Sequence, residues 1–246
     1  SIGDFAGFMA SVYKRGVNLI HIPTTWLAAL DSAHGGKTAL NIGDSKNQIG
    51  SFHLPSKVYI SRDILESQPE IRRTEVMGEL AKMALLDNHL RKKIMAQKSK
   101  DIWPLLDDVI KAKMKIVIAD PEEKKGERKN LNLGHTLAHV LEVSQKMPHG
   151  IAVGQGLLFS IFLSRKMKIL NPETYFEILD FLNRLGIVKR NLSLEKTSVE
   201  TLLLSDKKNS EHKKVQYVLL KNFAKPLRMD LPMTEILDAL EEFQWV

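Results

Sequence analysis

The sequence predicts a short α/β segment over residues 1–60 followed by a mostly helical domain over residues 61–246. Three observations carry that reading. A helical apolar pattern at Ser1–Gly16 runs directly into a β-branched stretch, Val17–Ile22, as in a helix-to-strand unit. From Ser61 onward apolar residues recur at three- and four-residue spacing through long windows separated by proline, glycine and charged turns. The chain has no cysteine, so no disulfide or thiolate metal site contributes, and any metal must sit on His, Asp or Glu.

In chain order, SIGDFAGFMASVYKRG reads as an amphipathic helix with Phe5, Phe8, Met9 and Val12 at helical spacing and Gly16 as its C-cap. Val17–Ile22 reads as a buried strand that ends at Pro23-Thr24-Thr25. Paired hydroxyls at the end of a strand suit ligand contacts in an open α/β sheet. The same two threonines serve equally well as the start of a helix at Trp26. DSAHGGKT, Asp31–Thr38, sets two glycines beside a lysine, so the backbone can approach a ligand closely and the cation can meet an anion. The P-loop spacing is absent. Gly43–Gly50 reads as a second small loop carrying Lys46 and Asn47, and Phe52–Ile60 as a turn and a strand entered at Pro55.

Glu66–Pro69 marks a helix start, and Ile71–His89 carries Val76, Leu80, Met83 and Ala84 in helical register. On that helix Glu79 and Lys82 lie three apart, which by itself describes a solvated surface pair. Ile102–Ala119 is a further helix starting near Pro104, and a charged turn, Asp120–Arg128, leads to NLNLGHTLAHVLE at Asn130–Glu142 and MPHG at Met147–Gly150. His135 and His139 share a helix face, and a short turn brings His149 back to them. The spacing leaves three readings open: a metal site, an acid/base site, or half-buried histidines with local hydrogen bonds. Helices at Ile151–Lys166, Pro172–Leu185, Val199–Leu204 and Met233–Phe243, with one late strand at Gln216–Leu220, complete the chain.

Composition narrows the function classes. With 43% apolar and 26% charged residues the chain is an ordinary globular one, and its longest apolar run, Gly156–Leu163, is too short to span a bilayer, so a soluble cytoplasmic protein without a membrane partner is expected. The net charge of +7 is spread over lysines along the chain, without a recognition helix, and aromatics make up only 7%. That pattern argues against nucleic acid and for a small anionic substrate.

The order and spacing of GDFAGFMASVYKRG, IPTT, LDSAHGGKT, SKNQIGSFHLP, GELAK, DPEEKKGERKNLNLGHTLAH, PHGIAVGQG and the late DKK resemble those of the 3-dehydroquinate synthase family of sugar-phosphate cyclases, from Ser1 to about Leu220. The resemblance implies that residues 1–60 are the C-terminal part of a Rossmann-like NAD-binding α/β domain and that residues 61–246 bind metal and substrate. It implies NAD and a divalent metal, zinc or cobalt, as cofactors, with Glu79, His135 and His149 as the metal ligands. His139 and Glu123 match acid/base residues. Arg15, Asp31, Lys37, Asn47, Lys82, Lys113, Arg128 and Asn132, with a lysine of the Lys207-Lys208 pair, match positions that hold substrate. Asp4, Thr24, Thr25 and Lys46 match NAD contacts, joined by the Ile64–Ser67 segment. The implied reaction converts 3-deoxy-D-arabino-heptulosonate 7-phosphate to 3-dehydroquinate with loss of phosphate, a lyase step of the shikimate pathway, in a homodimer. A substrate with a carboxylate and a phosphate accounts for the basic balance.

Two departures from the family pattern stand out. Family members carry a nucleotide-binding region with a glycine triplet before the SIGD-like segment with which this sequence opens, so most of the parallel sheet and many dinucleotide contacts are expected to be missing from the chain. Ile151 stands where the family has glutamate after the HG pair, which removes a carboxylate beside His149; SKN and LAH are milder departures. The readings held beside the main one are another sugar-phosphate cyclase, a metal- and NAD-dependent polyol dehydrogenase, and a non-catalytic remnant.

Overall fold

The computed structural model describes residues 2–42, 45–99, 101–206 and 214–245, apart from the side chains of 45, 46, 205, 206 and 245. They fold as two compact units: Ser1–Arg73 with Ala96–Arg128, and Thr74–Met95 with Lys129–Val246. The chain is an α/β segment followed by a mainly helical region, as its sequence predicts.

In the first unit, helix α1 (Ile2–Val12) ends in a single 3-10 turn and Gly16, whose φ of 116° is open to glycine. The expected apolar stripe is not its buried face. Gly7 and Ala10 are buried, while Phe5 and Val12 are 55% and 52% exposed. The reason is steric: α1 lies so close to the next hairpin that a Cβ on Gly7 would overlap the Thr38 side chain. That hairpin joins β2 (Lys37–Ile42) and β3 (Ser45–Phe52), antiparallel with Lys37 opposite Phe52. Of the loop expected at Gly43–Gly50, Ser45–Gly50 is instead strand, and residues 43 and 44 lie outside the described residues. A hydroxyl chain from Thr38 through Ser51 to Ser11 ties it to α1.

The strand expected at Val17–Ile22 shrinks to β1 (Ile20–His21), which pairs in parallel with β4 (Lys57–Val58). It is not buried: Ile20 and Ile22 are 52% and 60% exposed, with nothing among the described residues to cover them. Helix α2 (Arg62–Glu66) and α3 (Glu70–Glu75) break what the sequence presents as one start region. Helix α6 (Leu106–Ala119), entered through a 3-10 turn with Pro104, buries Val109, Ala112, Lys113 and Val117.

In the second unit, α4 (Met77–Leu86) and α5 (Asn88–Ala96) replace the single expected helix, with the Asp87 carboxylate accepting the Leu90 N–H at 2.9 Å. Helices α7 (His135–Ser144) and α8 (His149–Lys166) follow. Apolar and small on every side, α8 is the buried axis of the unit. Its Ser160 and Ser164 hydroxyls donate to carbonyls one turn back, and Ser164 Oγ also accepts the Leu220 N–H at 3.1 Å. Helix α9 (Pro172–Arg184) is capped by Asn171, and α10 (Lys196–Asp206) precedes an antiparallel hairpin of β5 (Lys214–Asn222) and β6 (Lys225–Pro232). Only β5 was expected. Helix α11 (Met233–Trp245) closes the unit. No helix among the described residues is long and apolar enough to cross a membrane.

Glycines set the spacing of the helices that matter for function. A Cβ on Gly78 of α4 would overlap the Gly150 carbonyl, and one on Gly150 of α8 would overlap the Glu75 carbonyl. A Cβ on Gly156 of α8 would likewise overlap the carbonyl of Gly134, itself at φ 80°. Gly78→Ala is therefore expected to force α4 and α8 apart and to cost about 1–3 kcal/mol, seen as a lower urea midpoint; an unchanged midpoint would show that the crossing has room to spare.

Candidate active site

Three helices of the second unit bring their first turns together. Glu79 lies in the first turn of α4, His135 opens α7 and His149 opens α8. The Glu79 Oε1 atom is 3.3 Å from His135 Nε2 and 3.1 Å from His149 Nε2. Candidate ligand atoms of the three residues all lie within 4.8 Å of one another.

The outer faces of both imidazoles are engaged. His135 Nδ1 lies 3.2 Å from the Leu133 carbonyl, and His149 Nδ1 is hydrogen-bonded to the Glu142 carboxylate. An Nδ1–H donated outward turns Nε2 toward Glu79, where that nitrogen either donates a proton to the carboxylate or, once deprotonated, offers a lone pair to an ion. One carboxylate and two such imidazoles form a donor set suited to a divalent ion with further positions open.

The charges here are buried. Glu79 is 0% exposed and Lys82, its ion-pair partner one turn along α4, is 2% exposed, so the surface pair suggested by their spacing is instead part of the interior. Burial by itself would raise the Glu79 carboxyl, but Lys82 and the two histidines overcome it and hold it well below the usual range. Burial, then Lys82, lowers His135 and favours its neutral form. Burial opposes protonation of His149 too, yet hydrogen bonds to Glu142 and Glu79 raise it to about 10. A proton and a metal ion compete for this nitrogen. His139, one turn beyond His135, sets its ring edge-on to that residue with centroids 5.8 Å apart.

The first unit gathers a separate set of charges. Lys113 donates to the Asp31 carboxylate at 2.7 Å and to the Asp31 carbonyl at 2.6 Å. Lys37 forms an ion pair with Glu123. Arg128, 3% exposed, donates to the Pro121 and Gly35 carbonyls at 2.6 and 2.5 Å and lies over the Phe52 ring. Its Nε is buried without a hydrogen-bond partner. The turn that presents Glu123 and Arg128 is organised by Asp120, whose carboxylate accepts the Lys125 and Arg128 N–H groups at 3.0 and 3.2 Å. Its carbonyl accepts the N–H of Glu123, which has a φ of 59°. Burial works to raise Asp120, and the backbone N–H groups outweigh it and lower it.

Other expected site residues lie outside these clusters. Arg15 is exposed in the turn after α1, Asn47 is exposed in β3 and Asn132 is exposed before α7. Thr24 is exposed, and Thr25 Oγ1 accepts the Ala28 N–H at 3.1 Å, the capping role that its sequence context allows. Ser67 donates to the Ile64 carbonyl at 2.8 Å, both being exposed, and Asp4 lies in the first turn of α1 near His21. The Lys46 side chain, Lys207 and Lys208 lie outside the described residues. Two contributors have no place in the sequence reading: Asp120, and Glu142, which sits two helical turns after His135 and three residues after His139, a spacing that puts all three on one face.

Two family models match: 3-dehydroquinate synthase N-terminal over residues 1–75 and 3-dehydroquinate synthase C-terminal over residues 70–209. The 3-dehydroquinate synthase of Alkaliphilus oremlandii is 37% identical over 257 residues, covering 99% of this chain and 70% of its own. That of Staphylococcus epidermidis is 37% identical over 256 residues, covering 98% and 70%. Among solved structures, a 2-deoxy-scyllo-inosose synthase complexed with carbaglucose-6-phosphate, NAD+ and Co2+ superposes with a TM-score of 0.85 at 26% identity, over 98% of this chain and 71% of that one. A 2-epi-5-epi-valiolone synthase from Streptomyces hygroscopicus with NAD+ and Zn2+ bound shares the fold, with a TM-score of 0.80 at 21% identity over 97% and 69%.

The Asp120 turn yields a prediction with a definite sign. A depressed carboxyl contributes stability above its ordinary pKa of 3.8 and loses it as the pH falls through the lower folded value. Asp120→Ala is expected to lower the unfolding midpoint at pH 7, with the gap from the parent chain closing at strongly acidic pH. A gap that stays constant in urea titrations across that range would remove the carboxylate from the argument.

Proposed function

We propose, on the premise that this chain belongs to the 3-dehydroquinate synthase family, that it acts in converting 3-deoxy-D-arabino-heptulosonate 7-phosphate to 3-dehydroquinate with loss of phosphate, a carbon-oxygen lyase reaction of the shikimate pathway. The observation that carries this is the convergence of Glu79, His135 and His149, with both imidazoles oriented from behind and Lys82 beside the carboxylate. Identity of 37% to 3-dehydroquinate synthases, against 26% to the 2-deoxy-scyllo-inosose synthase, favours the heptulosonate over another sugar phosphate. A cytoplasmic homodimer goes with this reading.

Glu79, His135 and His149 are the residues that would hold the ion, and zinc or cobalt bound there supplies Lewis acidity toward a hydroxyl losing its proton. NAD, when bound, supplies reversible hydride transfer at a carbinol carbon, so the cycle ends without net oxidation. For NAD we assign Asp4, Thr24, Thr25, Lys46, Ile64 and Ser67. Thr24 and Thr25 fit this role because they follow the C-terminal end of β1 in the parallel pair. Among the described residues no strand passes through a glycine-rich turn into a helix, the element that cradles a pyrophosphate.

The substrate's phosphate and carboxylate call for cations. Arg128 suits one of them, since its buried Nε has a donor to give. Lys37 and Lys113 already hold Glu123 and Asp31, so an arriving anion shares or replaces a negative partner instead of meeting a bare charge. Lys82, Arg15, Asn47, Asn132 and a lysine of the Lys207-Lys208 pair complete the substrate contacts in this reading. His139 and Glu123 carry protons: His139 beside the ligand His135, and Glu123 at a turn tip where Lys37 orients its carboxylate.

Two measurements test the reading. Purified protein should contain about one zinc per chain, abolished by Glu79→Ala. With zinc and millimolar NAD it should release phosphate from the heptulosonate phosphate, and His139→Asn should slow this by roughly 10²–10⁴-fold. A chain that holds no zinc, or one in which Glu79→Ala changes nothing, ends the proposal.

A further inference from the structure

We infer that Glu142 is a positioning residue for His149, holding its imidazole in the tautomer and orientation that present Nε2 to a bound divalent ion. The inference rests on the reading of Glu79, His135 and His149 as metal ligands. Glu142 projects from α7 and its side chain is only 12% exposed. It is hydrogen-bonded to His149 Nδ1, while the opposite nitrogen of the same ring is 3.1 Å from Glu79 Oε1. One imidazole thus bridges two carboxylates that have different jobs: Glu79 faces the inward nitrogen, accepting its proton or sharing an ion with it, and Glu142 fixes the outward one.

The chemistry explains why a carboxylate is needed. His149 is the first residue of α8 and follows Pro148, so no preceding helical turn packs against its ring. Its side chain is 31% exposed, more than twice the 14% of His135. His135 finds its Nδ1 acceptor in the carbonyl two residues before it, a partner that comes with the local backbone. His149 has to take its acceptor from another helix. An anionic acceptor on Nδ1–H selects the tautomer with a free Nε2 lone pair, lowers the rotational freedom of the ring and makes the lone pair a better donor.

The same contact changes the meaning of Ile151. Its side chain replaces the carboxylate expected two residues after His149, but the His149 ring does not lack a carboxylate partner, because α7 supplies one. Glu142 also lies on the face of α7 that carries His135 and His139, so one helix contributes a ligand, the neighbouring imidazole and the group that orients the second ligand.

The test uses the full chain and zinc alone. Zinc affinity is measured by chelator competition for the parent chain and for Glu142→Ala, Glu142→Gln and Glu142→Asp, with circular dichroism of the metal-free proteins and the visible absorption of the Co2+ forms as companion readouts. Glu142→Ala is expected to weaken zinc binding by roughly 10–100-fold and to alter the Co2+ spectrum while the metal-free protein keeps its helical signal. Glu142→Gln, which still accepts the Nδ1–H but carries no charge, should fall between the two, and Glu142→Asp should recover part of the loss. If Glu142→Ala does not fold, Glu142→Gln decides by the same readouts. Parent-like zinc affinity and Co2+ spectrum in a folded Ala or Gln variant would overturn the inference and leave the metal site standing. Failure of the parent chain itself to bind zinc would overturn both.

Discussion

A fully buried carboxylate, Glu79, is the constraint around which the second unit is built. An isolated charge in such a place costs several kcal/mol, and that cost has to be met within the reach of one side chain. Lys82 meets part of it from the next turn of the same helix, and His135 and His149 approach the other oxygen from two further helices. Those three helices can present their first turns at one point only if their backbones nearly touch. That is where glycine becomes necessary: Gly78 against Gly150, and Gly134 against Gly156. Electrostatics and sterics thus make one demand, because any side chain at the crossings would move apart the groups that compensate Glu79.

The first unit handles charge differently. Its cations come already paired, Lys113 with Asp31 and Lys37 with Glu123, and its buried guanidinium is held by backbone carbonyls. Asp120 does for this turn what glycine does for the helix crossings: it makes an otherwise unfavourable backbone tolerable by taking up the N–H groups that a tight turn strands. The positive φ of Glu123 belongs to that turn, so the orientation of a proposed proton carrier depends on Asp120, which takes the Glu123 N–H on its carbonyl and two further N–H groups on its carboxylate.

Much of this was legible in the sequence, and the gaps have physical causes. Long amphipathic helices declare themselves by period, which is why α6, α9 and α11 fall where their apolar spacing puts them, while α8 is marked by a long apolar run and not by a stripe. The β2–β3 hairpin did not, since Ser45–Gly50 is polar, with its described side chains exposed, and reads as a loop. Strand β6 hid behind prolines at both its ends. Helix α1 misled in the opposite sense: its large apolar residues point away from the described neighbours, because close packing selected the small face. Glu79 and Lys82 illustrate the deepest limit. A three-residue spacing states that two side chains are neighbours and says nothing about whether water reaches them. The assignment of Glu79 to the histidines came from family resemblance, not from period, since 70 residues separate it from His149.

Because Glu79, His135 and His149 come from three different helices, an ion bound among them is a tertiary constraint as well as a chemical one. Binding to the folded chain alone adds stability in proportion to the logarithm of ion concentration over the dissociation constant, and here that stability is delivered where α4, α7 and α8 meet. The three side chains cannot be reoriented independently of the core: α8 is buried nearly throughout, and His149 stands on its first turn. An ion held there would therefore take its precision from packing, and the proposed role of Glu142 falls on the more exposed of the two rings, at a helix start.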